Sequence, residues 1–203
     1  MSQEPHRNEQ TSAAPCFSPG PVQSYEFVLR TLLDPDHIND DGTLKPAAIA
    51  LEDIHKRGWS VDRTGFTSPW RIKLFHYRWK KRKPDIRRFY VLRIPVSDIR
   101  NIRDGTTNRQ EFAVIDTASF LSPAHAEVLL STGGSYSKSV LRSFRTKLIP
   151  KLPTRIELSE AFDHTEKCGV ARGILRQLGA ILRSPFRCLR QLVLSATGHS
   201  HNP

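Results

Sequence analysis

The segment from Arg30 to Arg63, RTLLDPDHINDDGTLKPAAIALEDIHKRGWSVDR, constrains the fold more than any other. Leading into it, YEFVLRTL (Tyr25 to Leu32) alternates, which predicts a strand whose buried face carries Tyr25, Phe27 and Leu29. DPDHINDDG is then a turn, because Asp-Pro fixes φ and Asp-Gly admits a positive φ. Pro46 suits a helix start, and Ala47, Ala50, Leu51 and Ile54 follow at helical spacing. Lys56 and Arg57 before Gly58 predict the helix end, and Trp59 to Val61 returns as a strand. Strand, acidic turn, helix and strand within so few residues demand a sheet with helices packed on it.

The rest of the chain extends this α+β reading, with a small mixed sheet as the expected centre. Ser68-Pro69 caps a preferred helix from Trp70 to Arg82, although WRIKLFHYRW also fits strand alternation. FYVLRI (89–94) and EFAVID (111–116) read as strands. SPAHAEVLLS (122–131) reads as a short helix and Ser137 to Ile149 as a longer one, and Arg155 to Leu158 as a short edge strand. Residues 1–24, rich in Ser, Pro, Gln and Glu, are expected to form a disordered leader, and 25–160 the domain. In 161–203, Val170, Ile174, Leu178 and Ile181 oppose Arg172, Arg176 and Arg183, as in a basic amphipathic helix. Such a helix suits core packing first, then an anionic membrane surface or a partner helix.

Charge adds a functional constraint. The net charge is +11, and residues 70–109 hold thirteen Lys and Arg against three Asp and Glu. Within them Lys80, Lys81, Arg82, Lys83, Arg87 and Arg88 lie among Trp70, Phe75, Tyr77, Trp79, Phe89 and Tyr90. Cations neutralise phosphates and flat rings stack on unpaired bases, so this run is the expected interface for nucleic acid or another polyanion. The competing reading is a core of rings with a solvated rim. No apolar run spans a bilayer, and the leading residues lack a signal-peptide pattern. Three scattered cysteines, Cys16, Cys168 and Cys188, suit a reducing cytoplasm.

Two histidines are the candidate catalytic residues. His37 lies in the acidic turn, and His125 begins His125-Ala126-Glu127. Two imidazoles beside cations suit general acid–base attack on a phosphodiester, with Arg30, Arg63 and Arg93 as phosphate holders. Otherwise both rings satisfy turns or element ends. The acidic turn fails as a helix–loop–helix calcium site: aligning Gly42 at position 6 puts His37 at position 1 and Ala48 at position 12. The turn reads first as polar, with aspartates that cap the helix at Pro46 and face water; a looser magnesium or calcium site is the alternative, and no cofactor or metal is assigned. His125-Ala126-Glu127 resembles the H-x-E half-motif of zinc nucleobase deaminases, in which the Glu, here Glu127, moves protons. The second half, P-C-x-x-C, is absent from this chain.

LLDPDHINDDGTLKPAAI, GWSVDR and SPAHAEV, in that order, resemble a group of small uncharacterised bacterial proteins. The likeness covers about residues 27–130 and implies a bacterial or mobile-element origin. It assigns no role to any residue.

Overall fold

A computed structural model describes residues 7, 9, 10, 18–119 and 122–152. Five strands form one sheet: β1 (Phe27–Asp34), β2 (Trp59–Arg63), β3 (Arg88–Pro95), β4 (Phe112–Asp116) and β5 (His125–Leu130). Their order across the sheet is β3-β1-β2-β5-β4. Three helices accompany them: α1 (Pro69–Arg82), α2 (Val96–Arg100) and α3 (Lys138–Leu148). The α+β class is as read from the sequence. The sheet is antiparallel at every pairing rather than mixed. β5, which runs opposite to both its neighbours, occupies a segment expected to be helical.

Registration sorts the strand residues onto two faces. Val28, Leu32, Trp59, Val61, Leu92, Ile94, Phe112, Val114, Ala126, Val128 and Leu130 share the first face and the main core. The β1–β2 connection, α2 and α3 supply Ala48, Ile49, Ile54, Ile99, Leu141 and Leu148 to the same core. The buried β1 face is thus the Val28 and Leu32 side, while Tyr25 is exposed. Alternation fixed the strand but not which side meets the larger layer, since Leu29 and Leu33 on the other side are buried too.

Those two, with Val91, belong to the second face, which α1 covers. Ser68 caps α1, accepting a hydrogen bond from the Arg71 amide, and Pro69 needs no donor at that position. Ile72 and His76 point inward, and the His76 ring stacks on Phe89 with centroids 4.2 Å apart. Trp70 and Tyr77 stay in water.

Two further expectations change. The helix from Pro46 becomes a 3-10 turn (Pro46–Ala48) followed by a π turn (Asp53–Arg57), ending at Gly58 with φ 88°. Ile49 between them is extended and buried, because Ala48, Ile49 and Ile54 all meet the core and no single helical stripe offers all three. Residues 18–24, read as part of the leader, join the packed unit. Val22 is buried, and Arg63 and Arg100 donate to the Gly20 and Val22 carbonyls. Upstream, Glu9 accepts from the Val114 amide and pairs with Arg100 at 3.2 Å. The Arg155 to Leu158 strand, the basic amphipathic tail of 161–203 and the three cysteines lie outside the described residues. Among the described residues, no helix is long and apolar enough to cross a membrane.

Candidate functional site

Between α1 and the second face of the sheet lies a cavity of about 460 Å³. Its floor begins with a cross-strand row. Leu29 is registered with Asp62, and Asp62 with His125, so all three project to the same side. Directly opposed antiparallel residues are side-chain neighbours, which sets the Asp62 carboxyl beside the His125 imidazole. The wall is α1, through Arg71, Ile72, Phe75 and Trp79. His37 enters from the turn after β1, so the cavity holds both histidines, with Arg30, Arg71 and Lys83 as its cations.

The turn places His37 through two bonds to one residue. The His37 amide donates to the Leu33 carbonyl at 2.7 Å, and the Leu33 amide donates to His37 Nδ1 at 3.1 Å. Because Nδ1 accepts, the neutral ring carries its hydrogen on Nε2. Burial, helped by the positive charge of Arg30, lowers the His37 pKa to about 4. The ring is therefore neutral near pH 7. With Nδ1 occupied by the Leu33 amide, the neutral ring offers an Nε2–H donor.

His125 is held differently. Its Nδ1 lies 2.7 Å from the Thr117 hydroxyl. In the tautomer whose Nδ1–H donates to that oxygen, Nε2 keeps its lone pair. Burial raises the Asp62 pKa against the opposing pull of Arg71, His125 and Arg30. Arg71 donates to the Ser122 hydroxyl at 2.5 Å, which ties the first turn of α1 to the approach of β5. Arg30 donates to the Ser60 carbonyl at 2.8 Å and lies 5.4 Å over the Trp59 ring. Its Nε is buried without a hydrogen-bond partner among the described residues, and burial lowers its pKa despite Asp53 and Asp62. Arg30 is registered with Leu92 of the first face and also borders the cavity.

The other residues singled out in the sequence are elsewhere. Glu127 shares the His125 side of β5 but lies against Gly58, and burial raises its pKa. Arg63 is 2% exposed and chelated by Glu26, at 2.8 Å from Nε and 2.6 Å from Nη2. A hollow of about 600 Å³ beside Arg63 therefore has its two charged lining groups, Arg63 and Glu26, bonded to each other. Arg93 stacks on Phe27 with its guanidinium carbon 3.7 Å from the ring centroid.

The basic run is partly neutralised by the acidic turn. Lys83 pairs with Asp36 at 2.7 Å, and Arg87 bridges Asp34 at 2.7 Å and Asp40 at 3.3 Å. Hydrogen bonding by Lys83 lowers the Asp36 pKa. Lys80 donates to the Ile86 carbonyl just beyond the helix end. Lys81 and Arg82 are exposed, as is Arg88. Asp41 accepts from the Thr43 amide and hydroxyl, closing the turn. Among the described residues, no group of three or more His, Cys, Asp or Glu side chains is placed to hold a metal ion.

Sequence reasoning missed Asp62, Arg71 and Ser122. A strand reading of SPAHAEV would have signalled the first: His125 would then face away from the apolar Ala126 and Val128, as Asp62 faces away from Val61. Arg71 carried no local signal. Comparison of the chain with family models, curated proteins and solved structures gave no match.

Proposed function

We propose that the protein cleaves a phosphate ester of the nucleotide class in the cavity beneath α1. The observation that carries this reading is the convergence of His37 and His125 on one cavity with Arg30 and Arg71. His125 Nε2 takes the proton from the attacking water or sugar hydroxyl, as the new P–O bond forms. Asp62 stabilises the resulting imidazolium. The bond to the leaving oxygen breaks, and that oxygen takes the same proton back from His125. Arg71 and Arg30 balance charge on the phosphoryl oxygens, and the His37 Nε2–H donates to one of them. Phe75 and Trp79 offer flat apolar area for a base. His37 and His125 thus keep catalytic roles with different duties, whereas Glu127, Arg63 and Arg93 have none in this scheme.

The test is turnover of a ribodinucleoside monophosphate by the full chain, with histidine ring signals followed by NMR. Product release that falls at least ~100-fold in His125→Ala, with His37 and His125 signals both shifting as the dinucleotide is added, is the expected result. Absence of turnover together with unmoved ring signals refutes the proposal.

A second reading is a polyanion-binding module acting through Lys80 to Lys83, Arg87 and Arg88. Support for it is reduced there by the pairing of Lys83 and Arg87 with carboxylates, and shifts to the outer side of α1. A cytoplasmic location belongs to the same proposal and rests on the scattered cysteines.

A further inference from the structure

α1 has two working sides. Its inner side lines the cavity; its outer side carries Trp70, 70% exposed, and Tyr77, 69% exposed. Seven residues apart, these rings lie two turns apart on one stripe, roughly 10 Å along the axis. Lys73 lies between them, and Arg78 and Lys81 continue the stripe. No acidic residue occurs between Pro69 and Arg82. Among the described residues, Trp70, Lys73, Arg78, Lys81 and Arg82 have no hydrogen-bond or ion-pair partner from a side chain. Two large rings held in water beside unneutralised cations form a patch of the kind that monomeric surfaces seldom leave without use.

We infer that the outer side of α1 is a docking track for single-stranded nucleic acid, with bases stacked on Trp70 and Tyr77 and phosphates against Lys73, Arg78 and Lys81. Charge complementarity selects a polyanion. The rings then select one with unpaired bases, because a duplex hides its base faces while its phosphates remain available. The chain's own residues 161–203 are a poor occupant, since they carry six Lys and Arg against two Asp and Glu and would meet like charge.

The track also adjoins the cavity. Phe75, 47% exposed, lines its mouth on the flank of the same helix. A strand lying along Trp70 and Tyr77 can pass a phosphate over Phe75 toward Arg71 and His125. The link to substrate identity rests on the proposed phosphate-ester chemistry and makes a polynucleotide its natural substrate; binding to the track does not depend on that chemistry.

The experiment uses the full chain and fluorescence anisotropy of end-labelled 20-nucleotide single-stranded RNA, single-stranded DNA and duplex DNA at two salt concentrations. Variants are Trp70→Ala/Tyr77→Ala, which alters no charge, and Lys73→Gln/Arg78→Gln/Lys81→Gln. The aromatic pair is solvent-exposed, and an unchanged melting curve certifies the fold. The expected result is single-strand binding weakened at least about tenfold by the aromatic double change, with duplex binding unaltered. The triple change should flatten the salt dependence. The ratio between RNA and DNA identifies which sugar is preferred. Equal single-strand affinity in wild type and aromatic variant overturns the inference, as does tighter binding to duplex. Turnover of the dinucleotide is assayed in parallel. Track-dependent binding without turnover removes the chemistry and leaves the track; turnover with track-independent binding does the reverse.

Discussion

His76 makes the fold acid-sensitive in a way that can be separated from its packing. Only 9% of its surface is exposed, its ring stacks on Phe89, and its Nε2 is buried without a partner. Burial alone lowers its pKa from 6.5 to about 4. A base depressed in the folded state binds protons better when unfolded. The contribution is therefore complete above about pH 6.5, is lost as pH falls toward 4, and changes no further below that. Applying those two pKa values between pH 7.5 and pH 4.5 gives a loss of about 2.5 kcal/mol from this residue. His37, lowered to about 4 as well, adds a loss of similar size. His76→Phe keeps an aromatic ring against Phe89 and removes the titration. Urea denaturation of wild type and variant at both pH values gives four free energies. Any overpacking by the larger ring is present at both pH values and cancels in the difference. The variant should lose about 2.5 kcal/mol less than wild type on acidification. Parallel losses in the two proteins refute the argument, as would a His76 ring that titrates near 6.5 by NMR.

Other perturbations test the scaffold and the cavity separately. Glu26→Ala should destabilise by about 3 kcal/mol, because Arg63 is left buried without its chelating carboxylate. Among the described residues, Arg63 then keeps only the buried Asp116, at 3.8 Å, as a carboxylate partner; chemical denaturation reads the loss, and an unchanged free energy contradicts the account. Gly58→Ala should cost more than about 1 kcal/mol, since φ is 88° and an added Cβ overlaps Glu127 side-chain atoms; an unchanged melting temperature disproves the conflict. Asp62→Asn should leave stability equal or higher near neutral pH. Its pKa is raised in the fold, so the ionised form that exists above that pKa is disfavoured there. The same change should lower dinucleotide turnover at least ~100-fold, and unchanged turnover removes Asp62 from the mechanism.

Local chemistry made α1 and α3 legible. Ser68 before Pro69, and Ser137 before Lys138, cap helices whose far ends are basic, and both hydroxyls accept the expected amide bonds. These signals act within one turn, so the sequence contains them in full. The segment from Ser122 to Ser131 misled for the opposite reason. Ser-Pro is a helix-start signal, but Val128, Leu129 and Leu130 are all buried in a central strand. A strand flanked on both sides and covered on both faces loses its alternation, and a short apolar run then fits either element. The β1–β2 connection is a similar case, in which core contacts by Ile49 and Ile54 overrode a helical pattern weaker than the packing they gain.

The charge pattern taught less about location than the helix it sits on. Along the chain, Lys80 to Arg88 is a basic block and Asp34 to Asp41 an acidic one. Folding joins them, because β1 and β3 pair from Phe27 with Pro95 through to Asp34 with Arg88. That register brings the turn after β1 beside the loop before β3, and Lys83 and Arg87 find their carboxylates as a consequence. Three carboxylates of the turn, Asp34, Asp36 and Asp40, are partners of those cations, and Asp41 is held by Thr43. What remains uncancelled is decided by helical geometry: Lys73, Arg78 and Lys81 point away from the sheet, while Arg71 and Lys83 point toward it. On the two readings proposed above, one helix separates two anion-binding tasks, with hydrated cations beside bare rings outside and the part-buried Arg71 near His125 inside. Desolvation strengthens each Coulombic contact inside, so the inner cations suit charge that develops during a reaction. The outer cations, screened by salt, suit capture of a long anion.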